Sequence, residues 1–348
     1  MAIRFLNGPL DPDERESYIV RKIESCRDGY SKVPFKDPAL GMAKELGLSQ
    51  SIGHLDIEEW LTPTPSKDMI FMMTLENFIT FIDSNGCLEY ATLLKDRIKA
   101  EIFPEVPVTF GVDHSLSGGA IEAAADEYGG ENLRLILMDS HFDFILPSIR
   151  CGLIQYDVET NPNTKFAATD PYIFNRSDSY NADSFLSFIA KKVPPENIFV
   201  VGVSDYPPKA AEEIFDERVK RYVEFYKEKE AAGVHVLRRG EANLPLKLKE
   251  MLSKKTAPFT YVSTDVDICA NAALQGARFL DYNGLNSGEF SKVIQAIVDS
   301  AGSSKLVGFD FMEFDVYRAG ATAKGKIDKT YYLMADAFRK MAAVINRQ

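Results

Sequence analysis

An α/β fold with a mostly parallel central sheet covered on both faces by helices, a three-layer αβα arrangement, is predicted for this 348-residue chain. Three observations carry that expectation. Short runs of strand length recur at 108–112, 133–138, 197–203, 234–237, 259–263 and 305–311, and they are largely apolar instead of alternating, as strands buried on both faces are. Helical patterns lie between them, as in βαβ units. Three of the runs turn abruptly polar at their carboxyl ends, where ligands bind in open α/β sheets.

Ile3 to Leu6 reads as a short first strand, closed by the turn signal Asn7-Gly8-Pro9. Asp11-Pro12-Asp13-Glu14 reads as a helix start, with acidic side chains suited to the positive end of the helix dipole. Residues 36–65, which hold His54 and Trp60, read as loops and short helices, and 68–97 as mixed strand and helix. Pro207-Pro208 opens a helical pattern through Ile214, Phe215, Val219, Tyr222, Val223 and Tyr226, closed by Gly233. Phe290, Val293, Ile294, Ile297 and Val298 share one helical face before Gly302. A last helix covers 331–346, with Leu333, Met334, Phe338, Met341 and Ile345 inward. Without a repeat or a low-complexity linker, one domain over 1–348 is expected, with 1–100 its least informative part.

Composition narrows the function. The chain is 45% hydrophobic and 26% charged, as in ordinary soluble globular proteins. A net charge of -11 argues against nucleic acid as a partner, which calls for clustered Lys and Arg. No apolar run reaches the length of a membrane span, and Met1-Ala2-Ile3-Arg4-Phe5 does not open a signal-peptide layout. Cys26, Cys87, Cys151 and Cys269 are widely spaced with no CxxC, so a reduced, cytoplasmic protein is expected.

The chemistry concentrates at 133–143. The run Leu133 to Met138 ends in Asp139-Ser140-His141-Phe142-Asp143. On an extended segment, residues at i, i+2 and i+4 point to one side, so Asp139, His141 and Asp143 would share a small volume. Carboxylates that close resist joint ionisation unless a cation sits among them. The same run also fits a strand ending in a solvated polar turn. Two further runs favour the metal: 108–112 ends in Asp113-His114-Ser115, and 259–263 in Thr264-Asp265-Val266-Asp267. Gly320-Ala321-Thr322-Ala323-Lys324-Gly325-Lys326 fits GxxxxGK, but Ile327 stands where a P-loop needs Ser or Thr and no clean strand precedes it. Ser117-Gly118-Gly119 reads as a tight strand-to-helix connection.

Gly111-Val112-Asp113-His114-Ser115, Asp139-Ser140-His141-Phe142-Asp143 and Ser263-Thr264-Asp265-Val266-Asp267 resemble, in order, the three metal-binding motifs of the arginase/agmatinase/formimidoylglutamase (ureohydrolase) family. Asp310-Phe311-Met312-Glu313 resembles that family's late strand with a substrate-facing glutamate. The resemblance runs from about Val108 to Phe314 and implies an arginase-like fold. It also implies two divalent metal ions, one held by His114, Asp139, Asp143 and Asp265, the other by Asp139, His141, Asp265 and Asp267. The donor set is oxygen and nitrogen without thiolate, which favours Mn²⁺, with Ni²⁺, Fe²⁺, Co²⁺ or Zn²⁺ as alternatives. Water between two such ions loses a proton near neutral pH, and hydrolysis of a planar guanidinium or formimino carbon needs a nucleophile of that kind. Glu313 and Asp143 are the candidate catalytic residues, Glu313 as the group that holds cationic nitrogens. By position alone, Glu313 also fits a surface glutamate at a strand end. Asp113 and Ser115 are candidates to orient His114 or to cap the next helix.

The chain departs from the family in three places. Val112 replaces the second glycine before Asp-His, Ile268-Cys269-Ala270-Asn271 replaces the usual continuation to Asp-Pro, and the His-Gly motif of a proton-shuttling histidine is missing after Asp143. His235, the one histidine after His141, stands at a strand start, where a core or edge role is expected. Ser179 to Phe185 could fill the vacated region, or form an ordinary polar turn into a helix. The expectation is therefore a hydrolase of linear amidines, of agmatinase or formimidoylglutamase type, acting on a small guanidino or formimino substrate and assembled as a trimer or hexamer by resemblance. The rival is a metal-binding but catalytically silent paralogue with a structural or regulatory role.

Overall fold

Eight parallel strands form the middle layer of the computed structural model, which describes residues 2–49, 51–174, 176–254 and 257–347. They are β1 (Ile3–Gly8), β2 (Gly53–His54), β3 (Val106–Gly111), β4 (Leu133–Met138), β5 (Ile198–Val203), β6 (His235–Arg238), β7 (Phe259–Asp265) and β8 (Lys305–Met312). The order across the sheet is β2-β1-β3-β8-β7-β4-β5-β6, so the chain skips from β3 to β4 and later fills the gap with β7 and β8. The four strands β3, β8, β7 and β4 are thus neighbours in mid-sheet, and all their carboxyl ends lie on one edge because every pairing is parallel. The first hundred residues belong to the same sheet, since β1 pairs with β3 from Ile3↔Val106 to Gly8↔Gly111.

Side-chain alternation along these strands divides the interior into two cores. Leu133, Leu135 and Leu137 of β4 face a core built with the helices Gly86–Glu101, Ser115–Tyr128 and Phe185–Ile189. Ile136 and Met138 face the other, built with Pro38–Leu46, Leu244–Lys254, Ser287–Ser300 and Thr330–Ile345. A buried cation inside β4 has a local explanation. The Arg134 guanidinium donates to Thr260 Oγ1 (3.1 Å), to the Leu252 carbonyl (3.2 Å) and to Ser300 Oγ (3.2 Å), and burial pulls its pKa down to about 10.

Several expected elements shift. Asp11 and Asp13 do not start a helix: the helix is Glu16–Arg27, and both carboxylates are buried in an ionic cluster. Residues 68–97 contain no strand; a 3-10 turn at Lys67–Met72 is followed by the helices Leu75–Asp83 and Gly86–Glu101. The pattern after Pro207-Pro208 is broken, because Ile214 is extended and the Asp216 side chain caps a new helix, Glu217–Ala231, by accepting from Arg218 N. The GxxxxGK stretch forms an exposed two-stranded hairpin, Thr322–Ala323 against Lys326–Ile327, with no helix to hold a phosphate.

Ser117-Gly118-Gly119 lies inside a helix instead of before it. Both glycines are close-approach positions: a Cβ at Gly119 would sit 1.9 Å from the Ala91 carbonyl oxygen, and one at Gly118 would meet the Tyr180 hydroxyl. Backbone cannot yield as a side-chain tip can, so Gly119→Ala is expected to destabilise the protein by about 1–3 kcal/mol or more. Thermal unfolding of the variant checks this, and an unchanged Tm would refute the packing role.

Candidate metal centre

The sheet edge gathers six polar side chains from three connections. His114 directly precedes the helix Ser115–Tyr128 after β3, and Asp265 ends β7. Asp267 sits in the 3-10 turn Val266–Cys269, held by Asp267 N–H donating to Asp265 Oδ1 (2.7 Å). Asp139, His141 and Asp143 follow β4, but not by strand alternation. The strand stops at Met138 and the segment bends, with His141 N–H donating to Asp139 Oδ1 (2.7 Å) and Asp143 in the left-handed region at φ 51°. Gly202 (φ 106°) lies at the β5 bulge, where an added Cβ would come within 2.9 Å of the Asp139 carbonyl oxygen.

All six expected ligands converge. His114 Nδ1 lies 3.0 Å from both Asp139 Oδ2 and Asp143 Oδ2 and 3.5 Å from Asp265 Oδ2. His141 Nδ1 lies 2.8 Å from Asp267 Oδ2 and 3.5 Å from Asp139 Oδ1. Two overlapping sets result, Asp139-His141-Asp265-Asp267 and His114-Asp139-Asp143, each with its donor atoms within 4.8 Å of one another. Asp139 belongs to both sets.

The electrostatics call for a cation. Burial comes first in pushing Asp143, Asp265 and Asp267 above the usual carboxylate range, and the Asp139 charge adds to it in each. Burial alone would lower His114 and His141, but the surrounding carboxylates hold both imidazoles well above their ordinary value. His114 Nδ1, Asp139 Oδ2 and Asp143 Oδ2 are buried and crowd to 3.0 Å without forming a hydrogen bond, so their ligating capacity is left unmet in one small volume. Buried polar atoms left unpaired are costly, and a divalent ion in that space would satisfy all three at once. The residues fit the metal.

A relay behind His114 sets its tautomer. Ser263 Oγ donates to Asp310 Oδ1 (2.7 Å), and Tyr261 OH donates to Asp310 Oδ2 (2.8 Å). With its one proton committed, Ser263 Oγ accepts from His114 Nε2–H (2.9 Å), which leaves Nδ1 as the ring nitrogen turned to the carboxylates and available to ligate. On the other side, Ser140 N–H donates to Asp267 Oδ1 (3.0 Å). Sequence reasoning assigned no role to Ser263, although it stands two residues before Asp265 on one strand and so shares its face.

Glu313 sits at the end of β8 in the left-handed region (φ 66°). It is not a surface residue: it is 1% exposed, and its Oε1 accepts from His114 N–H (2.8 Å). Burial pushes it up to about 8 despite Arg278 alongside. Asp113 both caps and pairs, as Oδ1 accepts from Ser115 N–H and Oδ2 from Arg278 Nη1. Ser179 to Phe185 forms a structural turn, with Tyr180 OH donating to the Ser115 carbonyl. Two residues without a sequence signal stand beside the cluster, Phe279 and Tyr282, whose rings are edge-on to His141 at 6.0 and 5.5 Å. Asp205, after β5, accepts from Phe142 N–H (3.3 Å) through Oδ2, while its Oδ1 is buried without a partner. His54 and His235 lie elsewhere, His54 on the edge strand beside Asn7 and His235 stacked on Phe199.

The model of the arginase family matches residues 82–342. The chain belongs to the arginase family. That family depends on binuclear metal sites, and this member carries candidate carboxylate and histidine clusters for them. No curated protein sequence matches the chain. Among solved structures it is similar to arginase from Bacillus subtilis, at 15% identity and TM-score 0.57 over 98% of each chain. It is similar to formimidoylglutamase from the same species, at 16% identity and TM-score 0.55 over 100% of this chain and 88% of that one. It is also similar to proclavaminate amidino hydrolase from Streptomyces clavuligerus, at 19% identity and TM-score 0.54, over 99% and 92%. At these identities the likeness establishes the ureohydrolase fold.

The relay makes a separable expectation. Ser263→Ala should leave the fold intact but weaken metal binding by roughly 10- to 100-fold, as loss of a partner behind a ligand does, with Ser263→Thr restoring it. Calorimetric titration of the metal-free protein with Mn²⁺ reads this directly. Equal affinity in wild type and Ser263→Ala would remove the relay from the account.

Proposed function

We propose that this arginase-family member is a binuclear-metal hydrolase that cleaves a C–N bond of a small guanidino or formimino compound. The observation that carries the reading is the convergence of His114, Asp139, His141, Asp143, Asp265 and Asp267 into two overlapping donor sets, with His114 Nδ1, Asp139 Oδ2 and Asp143 Oδ2 buried and without a hydrogen bond. One ion would be held by His114, Asp139, Asp143 and Asp265, the other by Asp139, His141, Asp265 and Asp267, with Mn²⁺ favoured by the oxygen-rich donor set. When bound, two divalent ions there would supply water acidified to near-neutral pKa.

The chain's own groups do the rest. Glu313 Oε2, buried and without a partner, accepts from a cationic nitrogen of the substrate. Phe279 and Tyr282 stand beside His141 and limit water there. Asp143 supplies a carboxylate at the reacting centre. The reading takes 1–348 as one domain with a divergent N-terminal hundred residues, cytoplasmic and assembled as a homo-oligomer, a trimer or hexamer. Among the described residues, no helix is long and apolar enough to cross a membrane.

One observation favours a second reading, a metal-binding paralogue without turnover. Both histidines outside the ligand set stand away from the centre, so none is placed to shuttle a proton. Elemental mass spectrometry of the Mn²⁺-reconstituted protein, with a screen for urea, formamide and ammonia release from guanidino and formimino compounds, separates the two. Two metals with turnover support the hydrolase, two metals without it support the silent paralogue, and no bound metal sinks both.

Because Asp139 and Asp265 are each assigned to both ions, Asp139→Ala or Asp265→Ala is expected to lose both metal equivalents and activity together. Retention of two equivalents per chain in either variant would refute the ligand assignment. His235→Ala serves as the contrast and should keep turnover within about twofold, since its contacts, with the Phe199 ring and the Glu196 carbonyl, lie away from the site.

A further inference from the structure

Arg278 brings a guanidinium of the chain's own to the glutamate that is proposed to hold the substrate. Its side chain is 3% exposed. Nη1 donates to the Val112 carbonyl (3.0 Å) and to Asp113 Oδ2 (2.9 Å), and lies 3.3 Å from Glu313 Oε1. Nη2 lies 3.6 Å from Asp13, and Nε lies 3.9 Å from Asp11. The backbone is pinned as well: Arg278 N–H donates to the Glu313 carbonyl (2.9 Å), Ala277 bridges Phe314, and Arg15 Nη1 donates to the Arg278 carbonyl (2.9 Å). Glu313, in a left-handed conformation that an L side chain rarely adopts, is therefore clamped from both its backbone and its carboxylate.

The two oxygens of Glu313 are consequently unequal. Oε1 receives the His114 N–H and the Arg278 guanidinium, so it is surrounded by donors. Oε2 is buried with no partner. A guanidino substrate carries two terminal NH₂ groups, and a free carboxylate would take both in a bidentate fork. Here the second NH₂ would meet Arg278 and the His114 amide, donor against donor. A formimino group has one terminal nitrogen and a C–H in the other position, and a C–H needs no acceptor.

We infer that Arg278 is a positioning residue that occupies one oxygen of Glu313 and so makes the site select an amidine with a single terminal nitrogen, a formimino compound, over a guanidino compound. The inference rests on the hydrolase reading above and adds the substrate class. The probes are N-methylformamidine and N-methylguanidine, which differ only in the second terminal NH₂. Their binding to the Mn²⁺-loaded protein is measured by calorimetry, and product release is followed in parallel. Wild type is expected to bind N-methylformamidine at least about tenfold more tightly, the scale of one buried donor left unpaired. Arg278→Met, which frees Oε1, should shift the ratio about tenfold or more towards N-methylguanidine.

A merely structural arginine would lower both affinities together and leave their ratio alone, and that outcome overturns the assignment. If Arg278→Met does not fold, the wild-type ratio still decides, because equal binding or a preference for N-methylguanidine refutes the inference. Binding of neither probe to fully loaded protein would overturn the inference and the hydrolase reading together. Equal binding accompanied by turnover would overturn only the role of Arg278.

Discussion

Four carboxylates placed within a few ångströms of one another, in a space that bulk water barely enters, set the terms for everything around them. Like charges at that spacing are strongly unfavourable in a low-dielectric interior, so the fold has to be stable enough to hold them there. Its parallel sheet does this by bringing the carboxyl ends of β3, β8, β7 and β4 together in mid-sheet, between two apolar cores that pin each strand. The donor atoms reach the centre from turns just past the strand ends. Local hydrogen bonds aim those turns, chiefly His141 N–H to Asp139 and Asp267 N–H to Asp265.

Around that centre the polar groups are arranged in shells with a direction. His114 is fixed on its far side by Ser263, Asp310 and Tyr261, so its ring orientation is decided before any ligand arrives. Glu313 is fixed by Arg278, which is in turn embraced by Asp11, Asp13 and Asp113. Buried ion clusters of this kind are poor sources of net stability, but removal of one member leaves its partners charged and dry. The N-terminal segment joins the site through them: Asp11 and Asp13 lie far from Arg278 in sequence and next to it in space.

Much of this was legible in the sequence, and the rest failed for identifiable reasons. The clustering of the six candidate ligands was legible because each stands at the abrupt end of an apolar run, and the runs themselves match the strands within two residues. The expectation that Asp139, His141 and Asp143 alternate on an extended strand was wrong in mechanism though right in outcome, because the left-handed turn at Asp143 leaves no mark on residue type. Asp11 and Asp13 resembled helix-starting acids, and only the tertiary arrangement of Lys22, Arg15 and Arg278 explains them. Arg278 itself lies in a loop with neither periodicity nor motif, so no local pattern pointed to it. The two-residue strand β2 is too short to show any alternation.

One of the six candidate ligands stands apart in its access to solvent: the His141 side chain is 15% exposed, whereas Asp143, Asp265, Asp267, His114 and Asp139 are all at 6% or less. A reagent arriving from solvent therefore meets the His141 imidazole first, beside the rings of Phe279 and Tyr282. Chemical modification of histidine would register at this ring well before it reached the buried His114.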